Sequence, residues 1–240
     1  MKKILTFLSD FGSKDSYVAQ VKGRVISSVP DVTIIDISHE CKPYDIISGA
    51  WLLHTSWQEF PINTVHLAVV DPGVGTKRAI LAVEKSGHFF IGPDNGLFSF
   101  IYPAKRVFEI TWRPRKEISP TFNARDIMSD AAAMILGRIQ PAALGIPFDN
   151  PVTIDVASPI VVHIDRFGNV ITNIDASGGM PKEIGINGHI ISSSALNYAD
   201  IPAGELSMIK GSSGTVEVSL NMGSAAGLLK AESGMPVCLG

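Results

Sequence analysis

Two aspartates stand close behind short apolar runs, Asp10 after Ile4–Leu8 and Asp71 after Val65–Val70. In an open α/β sheet, ligands bind beyond the carboxyl ends of the strands, so a carboxylate at such a point is placed to reach a small molecule. An aspartate there can also simply cap a turn. The residues that follow favour the ligand reading: Asp71-Pro72-Gly73-Val74-Gly75 joins a rigid proline turn to two glycines, which lets backbone approach a bound molecule. Arg78 lies near enough in sequence to pair with Asp71 and orient its carboxylate.

Several other chemistries are excluded. Gly73-Val74-Gly75-Thr76-Lys77-Arg78 begins like a dinucleotide fingerprint, but Arg78 stands where the third glycine must allow close helix packing. A GxxxxGK[ST] phosphate loop is missing, and Asp10-Phe11-Gly12 lacks every other kinase element. Gly211-Ser212-Ser213-Gly214 is not a nucleophile elbow. The six histidines, His39, His54, His66, His88, His163 and His189, form no HxH or HExxH pair and read as structural, so no metal is expected.

The elements that must position the aspartates change in style near residue 150. Before it, the β-branched runs Ile4–Leu8, Val32–Ile37, Val65–Val70 and Ile80–Val83 alternate with helical patterns, as in a mostly parallel sheet with covering helices. Helices are predicted from about Ser16 to Val29, from Pro43 onward with the proline in the first turn, and between Arg125 and Arg138. After Asp149-Asn150-Pro151 the segments shorten, and Ile160–Ile164, Val170–Ile174, Ile184–Ile191, Leu206–Ile209 and Val216–Leu220 read as strands. The expected fold is an N-terminal α/β domain, residues 1–150, followed by a smaller β-rich domain, residues 151–240.

Composition fits a globular protein and narrows its partners. The formal charge of -3, from 20 basic and 23 acidic residues without long runs, offers no footprint for nucleic acid or an anionic membrane. Two cysteines, Cys41 and Cys238, make neither a CxxC motif nor a disulfide scaffold, which suits a reducing cytoplasm. Met1-Lys2-Lys3 and the apolar run behind it imitate a signal peptide. Ser9-Asp10 ends the run early, and the segment reads as the first strand. No stretch is long enough to span a bilayer.

Leu8-Ser9-Asp10-Phe11-Gly12, with Asp15 and Tyr17-Val18-Ala19-Gln20-Val21-Lys22-Gly23, resembles the opening of the S-adenosyl-L-methionine hydrolases, a family that also holds the chlorinases and the fluorinase. The similarity continues through Pro30-Asp31-Val32, Ile35-Asp36-Ile37-Ser38-His39, Val70 to Thr76, Gly92-Pro93-Asp94-Asn95-Gly96-Leu97 and Asp165 to Asn173, nearly the whole chain. The resemblance implies a β-barrel-like C-terminal domain and a homotrimer that binds substrate between one subunit's N-terminal domain and its neighbour's C-terminal domain. It implies hydrolysis of S-adenosyl-L-methionine to adenosine and L-methionine, with no cofactor.

Carried over residue by residue, Asp10 would accept hydrogen bonds from the ribose diol. Asp15, Asp165 and Ser212 would surround the methionine moiety. Asn169 and the backbone of Met222 would read the adenine edge, and Tyr17, Tyr44 and Tyr198 would lie about the nucleoside. Asp71 would face the reacting carbon, with Arg78 and Asn123 around the nucleophilic water; halogenases carry an uncharged side chain at the Asp71 position, where a carboxylate repels halide. Ala124 stands where the fluorinase uses a serine for its halide, so halogenation is the lesser alternative. Hydrolases of the family usually read Phe-His-Gly-Arg-Asp where this chain has Phe122-Asn123-Ala124-Arg125-Asp126. An amide orients water but takes no proton near neutral pH, which leaves Asp71 as the base. The rival expectation is a protein that binds the nucleoside without turning it over.

Overall fold

The computed structural model describes residues 2–115 and 117–240. The chain divides into two compact units, Met1–Ile154 and Asp155–Gly240. The boundary follows from hydrogen bonds: the N–H groups of Val152 and Ile154 donate to Asp94 and Ser99, which ties this segment to the first unit.

The first unit is built on β1 (Lys3–Ser9), β2 (Val32–Ser38), β3 (Val65–Val69), β4 (Ile80–Lys85), β5 (His88–Pro93), β6 (Arg106–Ile110) and β7 (Gly145–Pro147), in the order β2-β1-β3-β5-β4-β6-β7. The pairs β1–β2, β1–β3 and β3–β5 are parallel, and β4, β6 and β7 extend the sheet antiparallel. Every residue of β3 is buried, as a strand covered on both faces requires. The helices α1 (Tyr17–Ser28) and α3 (Ser129–Leu136) pack Val21, Val25, Ala131 and Ile135 into one apolar cluster. A second cluster takes Ala50, Leu53 and Trp57 from α2 (Ile46–Trp57), giving three layers.

Strands β4 and β5 join at Ser86-Gly87, both at positive φ (50° and 80°), the geometry of a tight hairpin turn. Gly92 in β5 is obligatory, because a Cβ there would stand 2.4 Å from the Ala68 carbonyl oxygen. The helix expected to start at Pro43 starts at Ile46 instead. Tyr44 lies at φ 69°, outside helical geometry, and Asp45 caps the helix by accepting the N–H of Ser48 at 3.0 Å. The helix expected from Arg125 is preceded by a π-helical turn, Ala124–Met128.

Thr6, His66 and His88 form a buried polar line, with Thr6 Oγ1 2.8 Å from His66 Nδ1 and His66 Nε2 3.1 Å from His88 Nδ1. The His66 ring stacks on Phe90 at 4.8 Å. Burial first, then the nearby His88, pushes His66 from the ordinary 6.5 down to about 3, and burial lowers His88 as well. In the unfolded chain both would bind a proton near 6.5, so the unfolded state holds more protons below that pH. Stability conferred by these groups is therefore present above pH 6.5 and is lost as pH falls toward about 3. The urea midpoint is expected to drop between pH 7 and pH 5, and to drop less in His66→Asn; equal drops would refute this origin.

The second unit holds an antiparallel sheet ordered β12-β13-β9-β8, made of β8 (Val161–Ile164), β9 (Val170–Asp175), β12 (Leu206–Lys210) and β13 (Thr215–Leu220). A smaller sheet is ordered β11-β10-β14, from β10 (Ile184–Ile186), β11 (His189–Ile191) and β14 (Val237–Leu239). Among the described residues the two sheets do not close into a barrel. The single strand expected over Ile184–Ile191 is a hairpin. Asn187 and Gly188 take φ of 47° and 80°, the turn that an Asn-Gly pair favours. Helix α4 (Ala225–Leu229) packs Ala225 and Leu229 on the core. Among the described residues, no helix is long and apolar enough to cross a membrane.

Candidate active site

The two aspartates meet because of strand order. Chain order runs β1, β2, β3, whereas β1 lies between the other two; the connection through α1 and the connection through α2 pack in different apolar clusters, and a crevice opens at the carboxyl end of β1. The register pairs Ser9 with Val69, which brings Asp10 and Asp71 side by side just past the sheet. A cleft of about 310 Å³ lies there, lined by Asp10, Tyr17, Tyr44, Asp71 and Asn123 together with Phe11, Val74, Phe122 and Ala124.

One oxygen of Asp10, Oδ2, accepts the N–H of Tyr44 at 2.9 Å, which holds that residue in its left-handed conformation. Burial raises the Asp10 carboxyl above its ordinary range; the Tyr44 hydrogen bond opposes this and the charge of Asp71 adds to it. Arg78 grips Asp71 with two parallel bonds, Nε to Oδ1 at 2.6 Å and Nη2 to Oδ2. Both side chains are nearly buried, at 9% and 6% exposure, and Arg78 Nη1 also donates to the Ala79 carbonyl at 3.2 Å. A bidentate arginine fixes the plane of the carboxylate and leaves only its outer lone pairs for a third partner. Gly75, at φ 82°, lets this loop approach the Pro120 carbonyl, which a Cβ would meet at 2.9 Å.

Phe11, Tyr17 and Phe122 pack edge to face with centroids 5.4 to 5.9 Å apart and form an aromatic wall. The Arg125 guanidinium lies 4.9 Å from the Phe122 ring, while its Nε and Nη2 hold Asp126. Asn123 opens the π-helical turn, which aims Asn123 and Ala124 at the cleft. Asp15 is exposed in the loop before α1 and does not line this cleft.

The second unit has its own cleft, of about 550 Å³, lined by Asp165, Asn169, Tyr198 and Met222 with Phe167 and Asn221. Here Asp165 is engaged with its own loop. Its Oδ1 accepts from the N–H groups of Phe167 and Asn169, both at 2.9 Å, and its Oδ2 accepts from Asn169 Nδ2 at 2.8 Å. The Tyr198 hydroxyl donates to Glu217 Oε2 at 3.0 Å. Burial, reinforced by the charge of Glu217, pushes Tyr198 up to about 12. Met222, at φ 60°, is 92% exposed. Ser212 sits in the exposed turn between β12 and β13 and is not among the lining residues.

Sequence reasoning missed Val74 and Phe122 as lining residues, and Glu217 altogether. Phe122 carried a signal in its neighbours, the Asn-Ala-Arg-Asp that follow it. Glu217 carried one too: it is a lone carboxylate among the apolar residues of β13, buried in spite of its charge. Among the described residues no group of three or more histidine, cysteine, aspartate or glutamate side chains could hold a metal ion.

Residues 5–145 match the model of the SAM hydroxide adenosyltransferase N-terminal domain, and residues 160–238 match that of the C-terminal domain. The chain is 43% identical over 179 residues to the (R)-S-adenosyl-L-methionine hydrolase of Methanocaldococcus jannaschii, a match covering 71% of this chain and 66% of that protein. It is 35% identical over 254 residues to the enzyme of the same name from Thermus thermophilus, covering 97% of this chain and 98% of that one. The crystal structure of an uncharacterized conserved protein from Thermotoga maritima superposes with a TM-score of 0.89 at 28% identity, covering 98% of this chain and 100% of the other.

Proposed function

Because the chain belongs to the SAM hydroxide adenosyltransferase family, we propose that it hydrolyses S-adenosyl-L-methionine at C5′ to adenosine and L-methionine. The observation that carries this reading is the pair of carboxylates at the ends of β1 and β3, lining one cleft, with Asp71 clamped by Arg78. Asp10 keeps one oxygen for the ribose diol while the other holds Tyr44. Asp71 accepts a hydrogen bond from a water on its outer lone pairs, and Asn123 turns its amide toward the same water.

The water oxygen attacks C5′ as the C5′–S bond breaks, and the bonding pair leaves with sulfur. Methionine departs as a neutral thioether, and the proton that the water gives up is taken by Asp71 as base and passed on to solvent. The sulfonium is already a good leaving group, so the reaction as proposed calls for no cofactor, and positioning with electrostatics supplies the rate. A buried carboxylate at the water site repels chloride or fluoride, which sets hydrolysis above halogenation.

The methionine and adenine ends fall to Asp15, Tyr17, Tyr44, Asp165, Asn169, Tyr198, Ser212 and Met222 in the same proposal, with Asp165 acting chiefly by holding Asn169. Each cleft exposes apolar side chains, Tyr17 and Tyr44 on the first unit and Phe167 and Met222 on the second. Such surface favours cover by another copy, in keeping with a homotrimer whose active sites lie at subunit interfaces. A cytoplasmic setting suits two free thiols, Cys41 and Cys238.

A second reading, a nucleoside-binding protein without turnover, has the presence of Asn123 in the cleft in its favour. Incubation of the pure protein with S-adenosyl-L-methionine is expected to release adenosine and methionine in equal amounts, with solvent oxygen-18 in the 5′-hydroxyl. Adenosine binding without its formation would replace the hydrolase reading by the binding one. Chloride-dependent 5′-chloro-5′-deoxyadenosine would overturn the argument from Asp71.

A further inference from the structure

Four side chains, from α1, β2, the loop behind β2 and β1, run in line to the loop that carries Asp10. Lys22 Nζ on α1 donates to Asp36 Oδ2 on β2 at 2.5 Å, and Asp36 Oδ1 lies 3.1 Å from His39 Nε2. His39 Nδ1 lies 2.7 Å from Ser9 Oγ at the end of β1, and Ser9 Oγ accepts the N–H of Phe11 at 3.4 Å. The same His39 accepts the N–H of Gly12 on its carbonyl at 2.7 Å and meets the Phe7 ring edge to face at 4.6 Å. Serine, histidine and aspartate in that order look like a hydrolytic triad, but Ser9 is fully buried and both its neighbours are taken, so no substrate reaches it.

We propose that His39 and Ser9 are positioning residues for the nucleoside cleft, with the Lys22–Asp36–His39–Ser9 line fixing the backbone between Asp10 and Gly12. This inference rests on reading that cleft as the S-adenosyl-L-methionine site. The negative charge of Asp36 beside Nε2 favours the proton there, through a charge contact and not a well-aligned hydrogen bond, and leaves a lone pair on Nδ1. Ser9 must then donate its hydroxyl proton to Nδ1, and its own lone pairs are free for the Phe11 N–H. Phe11 belongs to the aromatic wall and Asp10 is its neighbour, so the set of this one hydroxyl reaches both sides of the cleft.

A second proton on His39 would reverse the order. Nδ1 would then donate, Ser9 would have to turn its hydroxyl away, and the Phe11 N–H would compete for the oxygen. Charged groups facing His39 are Lys22 from α1, Asp36 from β2 and Glu40 beside it; β1 offers the uncharged Phe7 and Ser9. Burial lowers the His39 pKa below its ordinary 6.5, and Asp36 opposes that shift.

The test compares the full-length protein with Ser9→Ala, His39→Gln, Asp36→Asn and the double variant Ser9→Ala/His39→Gln. Each single change is expected to raise KM for S-adenosyl-L-methionine about tenfold while kcat stays within about threefold, the loss of one buried hydrogen bond. The double variant should be no worse than either single one, as members of one network behave. The acid limb of kcat/KM should move to lower pH both in His39→Gln, where Asp10 is left to set it, and in Asp36→Asn, where the charge that raises the His39 pKa is gone. Additive effects, or an acid limb that stays in place in both variants, would overturn the proposal. Hydrogen exchange at the Phe11 and Gly12 amides reads the same line without substrate. Protection should fall in Ser9→Ala and His39→Gln; unchanged protection overturns the proposal even where the wild type proves to have no hydrolase activity, while absent activity with lost protection counts against the functional reading alone.

Discussion

Asp71→Asn is expected to lower kcat for S-adenosyl-L-methionine hydrolysis by about 10²- to 10³-fold, the range typical for removing one preorganised polar group aimed at the reacting atoms. The substitution keeps the shape but replaces one acceptor oxygen by an NH₂ that points donors at the Arg78 guanidinium. The clamp seen at Asp71 Oδ1 and Oδ2 cannot form twice, and the plane that holds the water is lost. Removing one member of a buried pair also destabilises the fold, so the melting temperature should fall as well. Adenosine affinity separates the two effects. The nucleoside is held by other residues, so its Kd should change by less than about threefold while kcat collapses. A variant that keeps wild-type kcat would remove Asp71 from the mechanism.

Asp10→Ala should act on binding instead. Wild-type protein is expected to prefer adenosine over 2′,3′-dideoxyadenosine by about 100-fold, because a charged acceptor facing a vicinal diol forms two hydrogen bonds of the stronger, charge-assisted kind. The alanine variant loses those bonds together with the acceptor for the Tyr44 N–H, which frees a residue held at φ 69°. KM should rise about 100-fold with kcat far less affected, and the preference between the two nucleosides should disappear. Calorimetric titration decides it. A variant that still discriminates by the diol would show that another group reads the ribose.

What the sequence disclosed about this site depended on how local the signal was. Asp10 and Asp71 were legible because an apolar β-branched run followed by a carboxylate marks a strand end, and two such ends meet at a crevice once strand order is given. Arg78 was legible by short separation. The start of α2 was not: Pro43 suits a first helical turn, but the partner that pulls Tyr44 out of helical geometry, Asp10, is 34 residues away in sequence. The hairpin inside Ile184–Ile191 was hidden by isoleucines at both ends of the segment, which read as one strand, although Asn187-Gly188 carried its turn chemistry. The role of Asp165 depends on three donors that its own loop supplies, which spacing alone does not order.

The family itself was legible from motifs alone. Ser9, Asp36 and His39 lay within those motifs, yet they became a line only when β1 and β2 were set side by side in register. The histidines His66 and His88 were expected to be structural, and they are buried side by side on the neighbouring strands β3 and β5.

The π-helical turn at Ala124–Met128 gives the chain a place to change length at the edge of the cleft. Such a turn takes in one residue more than an ordinary α-helical turn, so losing Arg125, the one residue of the five that is not buried, would let the segment close into ordinary helix continuous with α3. The wide turn holds its extra residue locally, so Phe122 and Asn123 ahead of it would keep their facing toward the cleft. What would go is the grip of Arg125 on Asp126 and its contact with the Phe122 ring. Loss of a single codon at this turn can therefore loosen one wall of the cleft while the sheet stays as it is.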